Sequence, residues 1–163
     1  MAVIQGTSEN AGHRIAKNGF GTVATLDPGW YGQGIYFTSK MSYASVYARE
    51  VKDGSQVFIV SVVVPGNALP ITENPHIVRP TPNPTGFLAK PCQSGYQSHY
   101  TVVDTKPGSC GLPLQDSPTA TSLDELVVFE PTRTLPLFLV YAKGANGRWG
   151  QSFLFFFCDC FNA

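Results

Sequence analysis

The stretch Tyr31-Gly32-Gln33-Gly34-Ile35-Tyr36-Phe37-Thr38-Ser39-Lys40-Met41-Ser42-Tyr43-Ala44-Ser45-Val46-Tyr47 decides how the chain is read. Gly32 and Gly34 flank a small turn, the use glycine has where backbone bends unusually or another group comes close. Ile35, Tyr36 and Phe37 are too apolar and β-prone for a loop and predict a short buried strand. Thr38 or Ser39 then caps a helix, expected to run to about Val51, that carries Tyr43 and Tyr47 on one face at i, i+4 spacing. A glycine-lined strand end followed by tyrosines on a helix makes a floor and a wall for a flat ring.

On the N-terminal side, Ala2-Val3-Ile4 predicts a strand that ends at Gln5-Gly6-Thr7. Ser8 is an N-cap for a helix with Ala11, Ile15 and Ala16 on one face, and Asn18-Gly19 closes it. On the C-terminal side, residues 57–64 form the most continuous apolar run, as in a central strand buried on both faces, and Pro65-Gly66 ends it. Six of the thirteen prolines lie between Pro70 and Pro91, a segment unable to sustain helix or central strand. Residues 95–103, 125–129 and 135–141 read as further strands. Early helices followed by strands that do not alternate with helices argue for an α+β fold with a mainly antiparallel sheet.

At 163 residues the chain is large enough to bury a core without metals or disulfides. Charged residues make up only 13%, with eleven acidic and eleven basic side chains, and no two basic residues are adjacent. Binding to a nucleic-acid backbone needs several cations on one face, so that class is disfavoured. The N-terminus lacks the basic start and apolar core of a signal peptide, and residues 153–157 are far too few to span a membrane. Cys92, Cys110, Cys158 and Cys160 lack the spacing of a secreted scaffold, which predicts free thiols in an intracellular, cytoplasmic protein.

Four blocks in order resemble the catalytic domain of the poly(ADP-ribose) polymerase-type ADP-ribosyltransferases. Gln5-Gly6-Thr7 resembles the family's His-Gly-Ser/Thr block, and Gly32-Gln33-Gly34-Ile35-Tyr36-Phe37 its Gly-x-Gly-Ile-Tyr-Phe block. Gly95-Tyr96-Gln97-Ser98 resembles a Gly-x-x-Ser strand start, and residues 124–129 the strand that bears the catalytic glutamate. The resemblance implies the ADP-ribosyltransferase-like fold: split, mainly antiparallel sheets around an NAD cleft, with a few flanking helices. It places the domain at residues 1–145, with a Phe-rich tail of unknown role at 146–163.

The same resemblance implies the site. Gly6 matches the glycine that holds the nicotinamide carboxamide through its backbone, with Thr7 beside it. Tyr36 and Glu125 match the tyrosine and glutamate of the family's triad, and Gln5 stands where the histidine would be. Tyr47 matches the tyrosine that stacks on the ring. A carboxamide-binding serine of the family aligns with Ala44, which leaves the adjacent Ser45 as the candidate hydroxyl. Residues 77–90 occupy the position of the loop over bound NAD. The implied activity is transfer of one ADP-ribose from NAD, a co-substrate, to an acceptor (a protein is the expected class) without a metal. A second reading, resting on Gln5 and Ala44, is a catalytically silent NAD- or ADP-ribose-binding module.

Other motifs yield to simpler readings. Gly32-Gln33-Gly34 does not open a helix in a βαβ unit, so it is no Rossmann fingerprint. Ser98 and His99, adjacent on a strand, point to opposite faces and cannot form a nucleophile–base pair. His13 reads as an exposed helix residue and His76 as a loop residue. Cys158-Asp159-Cys160 lacks the second ligand pair of a zinc site. Cys160-Phe161-Asn162-Ala163 has the form of a prenylation box, with Asn162 ill-suited to its aliphatic position.

Overall fold

The computed structural model describes residues 1–21, 29–71, 86–103 and 123–143, together with the backbone of 156–157. Among the described residues eight strands form two sheets. The first has the order β1 (Ala2–Thr7), β3 (Gln56–Val63), β7 (Thr134–Ala142), β8 (Phe156–Phe157). The second has the order β2 (Ile35–Phe37), β6 (Leu123–Val128), β5 (Ser98–Val103), β4 (Ala68–Ile71). All pairings are antiparallel except β4 with β5. The architecture is thus the α+β arrangement of split, mainly antiparallel sheets that the sequence predicts. No helix among the described residues is long and apolar enough to cross a membrane.

As its nearly unbroken apolar run foretells, β3 is central, paired with β1 on one side and β7 on the other. Its alternation sorts the packing. Val57, Ile59 and Val63 join Val3 and Leu139 in a core shared with Ile35, Phe37, Leu126 and Val128 of the second sheet. Phe58 and Val60 face the other way, toward Ile4, Met41, Ala44, Ala48 and Val140. Helix α1 (Glu9–Asn18) packs on β3 and β7, and a Cβ on its buried Gly12 would come within 2.6 Å of Leu139 Cδ1. Ser8 caps α1 as expected, its Oγ accepting from Ala11 N at 3.3 Å.

Every residue of β6 is buried, including Asp124 and Glu125. One face of the strand meets the first sheet, and the other, through Leu123 and Val127, meets a cluster of Tyr31, Tyr43, Ile71 and Val103. Proline sits where strands tolerate it. Pro70 is on the edge strand β4, and Pro136 of β7 lies opposite the register shift at Val60/Ser61.

Helix α2 is shorter than the sequence predicts. It covers Met41–Ala44 rather than reaching Val51, and its N-cap is Lys40, with no side-chain cap bond. Turns continue to Tyr47, whose N–H donates to Ala44 O at 3.1 Å. Arg49 N–H then turns away to Thr7 O (2.9 Å), so an edge carbonyl of β1 ends the helical run. Thr38 and Ser39, expected as caps, have a different partner described below. The tail cysteines, Cys110, His76, most of the proline-rich loop and most of the tail lie outside the described residues. Phe156–Phe157 of that tail pairs with Val140 and Tyr141 of β7.

Candidate active site

The two sheets meet where β1 runs past the end of β2. Ile4 and Thr38 exchange both backbone hydrogen bonds, at 2.8 and 2.9 Å. An antiparallel strand alternates its bonding edge residue by residue, so Gly6, two positions on, turns its N–H and C=O to the same outer edge. That edge borders a cleft of about 480 Å³ lined by Gln5, Gly6, Tyr36, Tyr43, Ala44, Tyr47 and Glu125, with Gly29, Trp30 and Leu88 among its other walls.

Gly6 is fixed by close approach. A Cβ there would sit 2.0 Å from Ala44 O and 2.6 Å from Ala48 N, both backbone atoms that cannot swing aside. Glycine therefore lets the α2 segment press on β1, which sets Ala44 and Tyr47 beside the strand edge. Tyr47 is 55% exposed and its ring meets that of Tyr43 edge to face at 5.5 Å. The Gln5 amide oxygen is buried without a hydrogen-bond partner among the described residues. Such an atom is unfavourable unless water or a ligand hydroxyl or amide satisfies it.

From the second sheet come Tyr36 and Glu125. The Tyr36 hydroxyl accepts from Tyr31 N and donates to Gly32 O, both at 2.8 Å, and so pins the glycine turn that precedes its own strand. Gly32 adopts φ +121°, and a Cβ there would collide with the Phe129 ring at 2.7 Å. Glu125 is 8% exposed and accepts a hydrogen bond from the Tyr43 hydroxyl. Burial first, and the neighbouring carboxylate second, push the Tyr43 phenol far above its ordinary pKa. Asp124, next along β6, accepts three bonds at 2.9 Å, from Thr38 Oγ1, Ser39 N and Ser39 Oγ. The two hydroxyls expected to cap α2 instead tether its start to β6, and only Thr38 Oγ1 also accepts from Lys40 N (3.0 Å).

The roof is two loops held together by His99. The histidine is fully buried between Phe87 and Phe129, with ring centroids 4.9 and 4.6 Å away. Gln93 N donates to its Nε2 at 3.0 Å, which leaves the proton on Nδ1 for Tyr31 O at 2.7 Å. Burial lowers its pKa, against the opposing pull of the Tyr31 carbonyl. Gln33 N to Lys90 O, 2.8 Å, adds a second tie.

Of the residues singled out from sequence, Gln5, Gly6, Tyr36, Tyr47 and Glu125 thus surround one cleft. Thr7 and Ser45 are not among its lining. Thr7 borders a neighbouring cavity of about 420 Å³, which shares Gln5 and Tyr36 with the cleft. Ser45 Oγ donates back to Ser42 O at 2.7 Å. Sequence reasoning gave no role to Asp124 or Trp30, named Tyr43 only as a helix-face tyrosine beside Tyr47, and reached Leu88 only as part of the loop at residues 77–90. Tyr43 did carry a signal, its i, i+4 spacing to Tyr47, whereas Asp124 meets its partners across 85 and 86 positions of sequence. Among the described residues no three His, Cys, Asp or Glu side chains are grouped to hold a metal ion.

A buried carboxylate, an aromatic wall, a strand edge with open backbone groups and an orphaned amide oxygen are what a site for a polar, ring-bearing ligand requires. Residues 1–143 match the family model of the poly(ADP-ribose) polymerase catalytic domain. The chain belongs to that family and is an NAD-dependent ADP-ribosyltransferase. No curated protein matches it.

Proposed function

We propose that the chain transfers a single ADP-ribose from NAD to an acceptor, a protein being the expected class, with release of nicotinamide. The observation that carries this reading is the convergence of Gln5, Gly6, Tyr36, Tyr47 and Glu125 on one cleft. Nicotinamide stacks on Tyr47, and its carboxamide pairs with the outward N–H and C=O of Gly6. The unpartnered Gln5 amide oxygen takes a ribose hydroxyl. The neighbouring cavity, which shares Gln5 and Tyr36, gives a dinucleotide room to continue beyond the ring.

In the reaction the bond between ribose C1′ and the nicotinamide nitrogen breaks, and its electron pair leaves with nicotinamide. The ribose gains oxocarbenium character, which the fixed Glu125 carboxylate stabilises. An acceptor lone pair then bonds to C1′ as the acceptor gives up its proton. Gln5 in the histidine position favours single transfer over chain growth, since an amide hydrogen-bonds ribose with a different reach and carries no titratable proton. The free thiol of Cys92 suits the intracellular setting that we propose.

Incubation with labelled NAD tests the proposal. Nicotinamide release with one ADP-ribose per modified site is expected, and Glu125→Gln should lower the rate about 100- to 1,000-fold. Product chains would overturn single transfer. Calorimetric binding of NAD without turnover would favour the silent binding module instead.

A further inference from the structure

The Tyr43 hydroxyl has one proton, and it is directed at Glu125 Oε1. Its oxygen also lies 3.2 Å from the Tyr47 hydroxyl. A phenol donates once, so the second contact has only one sense: Tyr47 donates to Tyr43, which donates to Glu125. The chain of donors is directed, and it ends on the carboxylate. Because the pKa of Tyr43 is raised, the phenol stays protonated and remains a donor through the whole working pH range. Both ends of the contact come from one strand's grip. Glu125 lies on β6, and the neighbouring Asp124 holds Thr38 and Ser39 at the start of the segment that bears Tyr43.

We propose that Tyr43 is a positioning residue for Glu125, the relay from Tyr47 through Tyr43 fixing the carboxylate's orientation and favouring its charged form. The assignment rests on the reading of Glu125 as the catalytic carboxylate. It also couples the two halves of the cleft, because the tyrosine proposed to carry the ring is the first donor of the relay. A misaimed carboxylate still permits NAD to bind, so the effect belongs in kcat. A ring wall that has lost its shape would appear in KM.

Tyr43→Phe keeps the buried ring and deletes only the relay. It is expected to lower kcat for nicotinamide release about 10- to 100-fold with KM for NAD little changed. In a Glu125→Gln background the same substitution should have no further effect, because a residue acting through another is non-additive with it. A loss carried in KM, an unchanged kcat, or additive losses would overturn the proposal. A readout free of turnover accompanies these. Carbon-detected NMR follows titration of the Glu125 carboxyl, identified by its disappearance in Glu125→Gln. Removing a donor to the charged form should move that titration to higher pH in Tyr43→Phe. If the wild-type chain releases no nicotinamide, the catalytic reading fails and the titration alone decides: an upward shift supports the positioning role, and no shift overturns it.

Discussion

The two sheets contribute to the cleft in opposite ways. On the second sheet Asp124 takes three donors, Glu125 takes Tyr43, and both nitrogens of His99 are engaged, while Ser98 Oγ, away from the cleft lining, has no partner among the described residues. The first sheet offers a strand edge, a glycine and an amide whose oxygen has no partner among the described residues. A satisfied buried network is rigid, whereas an orphaned acceptor is unfavourable until something arrives to meet it. The difference assigns the walls separate tasks. The second sheet presents a carboxylate whose place is already fixed, which electrostatic stabilisation of a transition state demands. The first waits for a ligand to complete it.

If the first wall depends on close approach rather than on side-chain bonds, the most damaging change is the smallest addition to it. In Gly6→Ala the new methyl would meet Ala44 O at 2.0 Å, so the α2 segment must leave β1 and the bond from Arg49 N to Thr7 O must go with it. Destabilisation of roughly 3 kcal/mol is expected, at the upper end for overpacking because the obstruction is backbone. NAD binding should be lost as well. Urea denaturation and calorimetry read the two effects, and a wild-type midpoint with wild-type affinity would refute the close-approach account.

The second wall should fail through lost bonds instead. Asp124→Ala leaves Thr38 Oγ1 buried without its acceptor, at a cost of about 2 kcal/mol. Because the tether sets where Tyr43 stands, nicotinamide release should fall as well. Thr38→Val removes one of the three bonds, and with it the acceptor of Lys40 N at the start of α2, and should give a smaller version of both effects. Equal losses in the two variants would mean that Asp124 does not act as a three-way tether.

Periodicity made most of the fold legible. The run at residues 57–64 announced a strand buried on both faces, and the glycine pattern at 32–34 announced a turn that only glycine can make. The length of α2 was not legible. Its apolar and tyrosine spacing suits a helix to Val51, but the Thr7 carbonyl at the end of β1, 42 residues earlier in the chain, captures Arg49 and stops it. Competition of that kind leaves no local trace. Glu125 could be singled out because its strand resembles a known block. Asp124, one residue away, could not, since its meaning lies in hydroxyls that sequence alone assigns to a helix cap. The same limit hid the burial of His99, whose neighbours Phe87 and Phe129 come from separate segments.

His99 gives the mildest and most selective way to loosen the committed wall. Its Nε2 accepts from Gln93 N, so a proton added there would set one N–H against another inside an apolar box. The folded-state pKa accordingly lies below the ordinary value of about 6.5 that the unfolded chain shows. The unfolded chain therefore binds the proton more readily, and protonation favours unfolding. Stability from this group is complete above about pH 6.5 and is lost as the pH falls from there through the folded-state pKa. His99→Gln, whose amide can donate and accept but does not titrate, should lose less stability than wild type between about pH 7.5 and pH 5.5. The loops that His99 joins carry Trp30 and Leu88 over the cleft, so wild-type NAD affinity should weaken over the same interval, and less so in the variant. Urea midpoints that fall in parallel for the two proteins would show that the latch lies elsewhere.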